Sequence, residues 1–281
     1  MGRGFPTAVD RHKPGGPEVP NGLGMVYVLC SVTYLFLLHY FNVAGALALA
    51  CCILFGGVLG LFDDWGDLRW RYKAVIPILT SIPLISLRKG ETVMATYLFG
   101  KVDFGIIYLI VIAPMIVTVT MNAVNQLGGL NGLETLCPLI VMIGLFVVSP
   151  MRLLLIAPIV ILILLGCLNY LGRIFVGNVG TFAEGATLAA FAIIANIEQA
   201  LAIALLPFLF NSGLVIVNIL ILGRRPHVEL GPDGLLTSGH RRSLITLITY
   251  RRRTREHRVV ATICLIVAMF MTLSIVITLV S

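Results

Sequence analysis

The chain has 281 residues, of which 58% are hydrophobic and only 12% charged, and it carries a formal net charge of +7. A soluble globular protein carries roughly 25% charged side chains, so this density excludes a soluble enzyme built on one large core. The apolar excess recurs in blocks long enough to cross a bilayer, which makes the chain a polytopic membrane protein.

In chain order, the apolar runs predict spans near 22–41, 43–62, 74–87, 104–121, 133–149, 151–170, 181–197, 199–222 and 258–280. These runs exceed the roughly ten-residue strands of an outer-membrane barrel, so the fold class expected is all-α, a polytopic transmembrane helix bundle of about nine spans. The run at 74–87 rises only about 21 Å as a helix, and Pro77, Pro83, Pro114, Pro158 and Pro207 interrupt several others. Segment 96–104 alternates around Gly100-Lys101 and suggests a short hairpin. Residues 1–281 read as one integral-membrane domain, with 223–257 its last long polar loop. Of the 20 lysines and arginines, 15 fall in 1–21, 63–73, 122–132, 171–180 and 223–257 and Arg258 directly follows the last of these, which the positive-inside rule places in the cytoplasm. The excess positive charge therefore needs no nucleic acid. The run from Arg251 to Arg258 reads first as an interfacial anchor beside anionic headgroups. The six cysteines fall inside spans and read as small buried side chains.

Four polar segments fall on that cytoplasmic side. In GLFDDWGDLRWRYK (60–73), Asp63 and Asp64 end an apolar run, where a helix C-terminus already carries partial negative charge. Lys73, Arg69, Arg71 or a divalent cation is expected to offset them, and Asp67 shares the face of Asp63 if the helix continues. In NAVNQLGGLNGLE (122–134), Asn122 and Asn125 share one helix face, and Gly128, Gly129 and Gly132 open the backbone around Asn131. Amide oxygens there suit magnesium or the polar groups of a nucleotide, and Glu134 begins the next helix. In RIFVGNVGTFAEG (173–185), Thr181 and Glu184 have capping-box spacing, which leaves Asn178 without a local role. In GRRPH (223–227), Arg224 and Arg225 suit phosphate oxygens, with His227 beside them. Asn211 and Asn218, seven apart in a span, suggest helix–helix hydrogen bonds. Each segment also has a plainer reading as interface loop, turn, cap or anchor.

These four segments, in this order and on one side, resemble the polyprenyl-phosphate N-acetylhexosamine-1-phosphate transferase family. The Trp-Arg-x-Lys ending at Lys73 and Asn-Gly-Leu-Glu at 131–134 resemble its dolichyl-phosphate GlcNAc-1-phosphotransferase branch. The bacterial peptidoglycan-precursor branch implies a histidine cluster in the last loop, which this sequence lacks. The resemblance implies magnesium-dependent transfer of GlcNAc-1-phosphate from UDP-GlcNAc to dolichyl or another polyprenyl phosphate, with Mn2+ as an alternative ion. The same chemistry on another UDP-N-acetylhexosamine, a catalytically weak scaffold and a transporter are the rival readings. By resemblance, Asp63 and Asp64 are catalytic, and Asp64, Asn125 and Asn178 hold the metal. Lys73, Asn122, Asn131, Glu134, Arg224, Arg225 and His227 then bind nucleotide and pyrophosphate, and Lys13, in DRHKPGGPEVPNGLG, contacts the lipid phosphate. A homodimer is implied, in the plasma membrane of an archaeon or the endoplasmic reticulum of a eukaryote. Two departures stand out: the family has ten spans and the first has no counterpart here, and its third motif has an aspartate where this chain has Asn178.

Overall fold

The computed structural model describes residues 6–66, 68–87, 92–97, 99–223 and 226–280. Asp67, Arg88, Lys89, Arg224 and Arg225 lie outside the described residues. A short antiparallel hairpin, β1 (Thr7–Val9) and β2 (Glu18–Pro20), precedes the first helix. Helix α1 (Gly24–Tyr40) turns at Asn42 (φ 60°) into α2 (Ala46–Gly66). The chain then breaks into α3 (Trp70–Val75), a 3₁₀ stretch over Ile76–Ser81 and α4 (Ile82–Leu87). Pro77 and Pro83 each withdraw a backbone donor, so the expected span at 74–87 is a series of short helices.

The hairpin expected at 96–104 is present as β3 (Val93–Thr96) paired with β4 (Gly100–Asp103), but its turn precedes Gly100 rather than centring on Gly100-Lys101. A π-helical turn at Tyr108–Ile112 leads into α5 (Ala113–Leu127). Pro114, which cannot donate to the turn before it, accounts for the irregularity. Helices α6 (Leu133–Val148), α7 (Ile156–Tyr170) and α8 (Gly177–Ile194) follow. Helix α9 (Glu198–Ala204) bends by 59° into α10 (Leu206–Leu222), with Pro207 in the first turn after the break. The last polar loop holds β5 (Glu229–Leu230), β6 (Leu236–Thr237) and α11 (Leu244–Ile248), and the described chain ends in α12 (Glu256–Val280).

The bundle is all-α apart from these hairpins. Among the described residues, five helices are long and apolar enough to cross a membrane, or six if the bent α9–α10 pair is one span. That is fewer than nine because α1 and α6 are shorter, and because proline breaks the 70–87 and 198–222 segments.

Helix α8 is the hub. Its sequence, GNVGTFAEGATLAAFAII, is small on nearly every face, so α1, α2, α5, α6 and α9 all pack against it. At Gly60 of α2 an added Cβ would lie 2.2 Å from the Asn178 carbonyl oxygen, and at Gly24 of α1 it would lie 2.2 Å from Gly180 Cα. Small residues therefore let α1 and α2 converge on the first turn of α8. The β3–β4 hairpin is pinned to the α8–α9 junction, where Ala95 N–H donates to Asn196 Oδ1 at 2.8 Å and Tyr97 N–H to Gln199 Oε1 at 2.6 Å.

Candidate active site

Asp63 and Asp64 occupy the last turn of α2 and face different partners. Asp63 is buried and pairs with Lys73 Nζ at 2.7 Å, and its Oδ1 also accepts from Leu68 N–H at 3.0 Å. The lysine thus supplies the positive charge that the sequence called for. Asp64 instead receives the first backbone donors of α8, Asn178 N–H at 2.9 Å and Val179 N–H at 3.0 Å. A carboxylate from one helix caps another, neutralising donors that a helix start leaves unpaired. Gly60 makes this possible by allowing α2 to touch α8 one turn earlier. Gly177 takes the positive φ of 71° at the approach, where a Cβ would stand 2.8 Å from Asp64 Oδ2.

This arrangement corrects the capping box expected at Thr181 and Glu184. The helix starts four residues earlier, at Gly177, so both residues lie within it. Thr181 Oγ1 accepts from Asn125 Nδ2 at 2.8 Å, while Glu184 is fully buried with neither carboxylate oxygen hydrogen-bonded. The same Asn125 Nδ2 donates to Asn178 Oδ1 at 2.8 Å. Asn178 therefore lies between Asp64, through its backbone, and Asn125, through its side chain.

Two cavities flank this centre. One, of about 340 Å³, is polar and is walled by Asp10, Arg11, His12, Asp64, Asn125, Asn131, Glu134, Asn178 and Thr181 among others. The second, of about 500 Å³, is largely apolar and runs between α3, α5 and α10. Leu209, Val215, Ile216, Ile219 and Leu220 line it, with Lys73, Thr118, Asn122, Asn125, Gln126 and Ser212 as its polar residues. Asn125 lines both cavities.

The structure thus brings Asp64, Asn125, Asn131, Glu134 and Asn178 to one cavity, and Lys73 and Asn122 to its neighbour. Asn122 Nδ2 donates back to Thr118 O at 2.9 Å within α5. Lys13 sits 3.5 Å from Asp10 Oδ2, beside the polar cavity and among the lining residues of neither. His227 is exposed and meets His240, with Nδ1 and Nε2 3.1 Å apart, away from both linings. Burial, with Arg242 nearby, holds His240 below the usual imidazole range. Thirteen residues separate these histidines, a spacing that conceals their pairing in the sequence. Arg224 and Arg225, in the same loop by sequence, lie outside the described residues.

Sequence reasoning missed Asp10, Arg11 and His12, which bring a carboxylate, a guanidinium and an imidazole to the polar wall. It also missed Glu256, whose Oε1 accepts from Asn131 N–H at 2.9 Å. The only trace of Glu256 in the sequence is a lone acid within a basic run. Of the expected interhelical asparagines, Asn211 does bridge, donating to Gln126 O at 3.0 Å and accepting from Leu244 N–H at 2.9 Å. Asn218 instead bonds to Leu214 O within its own helix.

Among the described residues, no three or more His, Cys, Asp or Glu side chains are grouped to hold a metal ion. The amide at Asn178 accounts for part of this, since an aspartate there would add a carboxylate beside Asp64. The oxygen donors that remain, from Asp64, Asn125, Asn178 and Thr181, nevertheless suit magnesium, which binds through one or two carboxylates and completes its shell with water and phosphate.

Residues 46–196 match the family Glycosyl transferase family 4. A putative UDP-N-acetylglucosamine–dolichyl-phosphate N-acetylglucosaminephosphotransferase of Saccharolobus solfataricus is 35% identical over 213 residues, or 71% of this chain and 66% of its own length. The protein of the same description from Sulfolobus acidocaldarius is 32% identical over 225 residues, or 74% of this chain and 68% of its own. The UDP-N-acetylglucosamine–dolichyl-phosphate N-acetylglucosaminephosphotransferase of Dictyostelium discoideum is 26% identical over 260 residues, or 73% of this chain and 63% of its own. The chain thus spans about two thirds of the length of the curated relatives it matches.

Proposed function

The chain belongs to glycosyl transferase family 4, the polyprenyl-phosphate N-acetylhexosamine-1-phosphate transferases, and on that premise we propose that it transfers GlcNAc-1-phosphate from UDP-GlcNAc to dolichyl or another polyprenyl phosphate. The observation that carries this reading is the meeting of a polar and an apolar cavity at Asn125. A soluble nucleotide sugar fits the first, and an isoprenoid tail fits the second. Their charged ends then meet beside Asp63, Asp64 and Lys73.

In the proposed reaction an oxygen of the acceptor phosphate attacks the sugar-linked phosphorus in line. The bond from that phosphorus to the bridging oxygen breaks, and the bridging oxygen leaves with UMP. A phosphate is already largely ionised near neutral pH, its second pKa being about 6, so positioning matters more than a strong base. Lys73, on the wall of the apolar groove, holds the acceptor phosphate, and Asp63 holds Lys73. Asn122 lies on the same groove and orients that phosphate. Asn131 and Glu134 bind the nucleotide side, while Arg11 and His12 offer donors to its pyrophosphate, joined by Arg224 and Arg225 from the last loop; His227, away from both cavities, reaches it only by a movement of that loop. Lys13 reaches the lipid phosphate only by leaving Asp10. Magnesium, or manganese, held by Asp64, Asn125 and Asn178, would neutralise pyrophosphate charge as the leaving oxygen becomes anionic.

We read all nine helical segments as spans, the broken ones included, with this end of the bundle in the cytoplasm, as the distribution of lysine and arginine supports. Incubating the purified chain with magnesium, labelled UDP-GlcNAc and dolichyl phosphate is expected to yield a lipid-linked GlcNAc pyrophosphate and an equal amount of UMP. Turnover with a different UDP-N-acetylhexosamine alone would reassign the sugar. UDP-GlcNAc binding without any lipid product would point to the scaffold, and full activity in excess EDTA would remove the metal from the mechanism.

A further inference from the structure

The β5–β6 hairpin carries a histidine on each side of its open end. Glu229 pairs with Thr237 across it, so the register sets residue 227 opposite residue 239, next to His240. There His227 Nδ1 and His240 Nε2 stand 3.1 Å apart. Ser238 fixes the second histidine. Its Oγ accepts from His240 N–H at 3.2 Å and donates to His240 O at 3.1 Å, and its own backbone is bonded to Thr249 and Arg251.

The other neighbours of the two rings say where their protons sit. A backbone N–H can only donate, and that of His227 meets His240 Nε2 at 3.4 Å, so this nitrogen is the bare one of a neutral ring. On His227 the far nitrogen, Nε2, faces Glu229 Oε1 at 3.7 Å. The carboxylate favours a proton on that side, which leaves Nδ1 bare. Two lone pairs then confront each other across 3.1 Å, and a cation between them relieves the repulsion. A proton would set an imidazolium beside Arg242, where burial and that guanidinium already hold His240 below the usual imidazole range. A metal ion suits the spacing better. Two imidazole nitrogens on one tetrahedral zinc ion, each at about 2.0–2.1 Å, lie about 3.3–3.4 Å apart.

We infer that His227 and His240 form a transition-metal site, separate from the proposed magnesium centre, that closes the open end of this hairpin. Imidazole selects zinc, copper or nickel, whereas magnesium takes oxygen ligands. Only the two histidines address the ion directly. Glu229, on the far nitrogen of His227, is placed as the carboxylate that orients a metal-bound histidine. The side chain of His227 is 62% exposed, so water completes the coordination. Neither histidine lines either cavity, so the site stands whether or not the chain transfers GlcNAc-1-phosphate.

The test is calorimetric titration of the full chain, in detergent and without a histidine tag, with nickel chloride in excess magnesium. Wild type should take one nickel ion that magnesium does not displace. His227→Gln and His240→Gln should each weaken binding at least tenfold, or about 1.4 kcal/mol. Glu229→Ala, which removes the orienting carboxylate, should weaken it by about 10–100-fold. His257→Gln alters an exposed histidine at the start of α12 and should bind as wild type does. Cobalt(II) in place of nickel gives a visible absorption that reports nitrogen ligands, and it should vanish in both glutamine variants of the pair. Should one of these variants fail to fold, the other carries the test, since each removes one of the two ligands. Unweakened binding by either folded variant, no binding by wild type, or displacement of nickel by magnesium overturns the site.

Discussion

Asp64 has two duties that substitution can separate. As a cap it accepts two backbone N–H groups from α8, and as a charge it faces the polar cavity. The two bonds fall on different carboxylate oxygens, so asparagine keeps one and sets its NH2 against the other backbone donor, whereas alanine in place of a capping residue costs about 1 kcal/mol. Asp64→Asn should therefore melt measurably below wild type and lose nearly all UMP release, and the structural share of its loss is read from the melting of Asp64→Ala. An Asp64→Asn protein with near-normal turnover would leave Asp64 with the structural duty alone. Asn178 permits the converse test. Aspartate at that position still accepts from Asn125 Nδ2 but adds a charge beside Asp64. Asn178→Asp should melt earlier in EDTA, recover stability as magnesium is added, and reach half-maximal activity at lower magnesium than wild type. A magnesium titration followed by both melting and UMP release reads this directly, and a coincident curve for the two proteins would rule it out. The candidate residues were legible because Asn122, Asn125, Asn131 and Asn178 are amides that turns and caps do not require. The capping role of Asp64 was hidden, because it joins residues 114 positions apart and the local Thr181–Glu184 spacing offered a false alternative.

At the scale of the helix, the site depends on how closely α2 approaches α8. Gly60 is one turn before Asp64, and its missing Cβ leaves room for the Asn178 backbone. Backbone cannot move aside as a flexible side chain can, so Gly60→Ala should lower stability by about 1–3 kcal/mol and displace the Asp64 cap. Gly66→Ala is the control, since a Cβ there meets nothing within 4 Å and alanine favours the helix. Equal melting temperatures and activities for the two variants would show that the α2–α8 contact does not set the site. Which glycine touches which helix was not legible in the sequence, because that depends on crossing geometry rather than local pattern. The same distinction explains the spans. Hydropathy located the apolar segments to within a few residues, yet it counted the 74–87 and 199–222 runs as single spans, where proline breaks them into shorter helices.

At the scale of the molecule, the apolar groove and the polar cavity share α5, through Asn125, and are otherwise formed by different elements. This separation implies that the two substrates can be perturbed independently. Gly213, midway along α10, lines the groove, and a Cβ there meets nothing within 4 Å. A large side chain at this position therefore enters space that the isoprenoid tail would occupy, without pushing on protein atoms. Gly213→Trp should raise the KM for dolichyl phosphate by about tenfold, equivalent to losing the burial of roughly two methylene groups at about 0.8 kcal/mol each. The KM for UDP-GlcNAc should stay near the wild-type value, because no residue of α10 lines the polar cavity. A short-chain acceptor that does not reach Gly213 should escape the effect, which distinguishes an occluded tail from a misplaced phosphate. If both Michaelis constants rose together, or if short and long acceptors suffered alike, the groove would not be the path of the lipid. The joining of two chemically opposite compartments at one asparagine would then need another explanation.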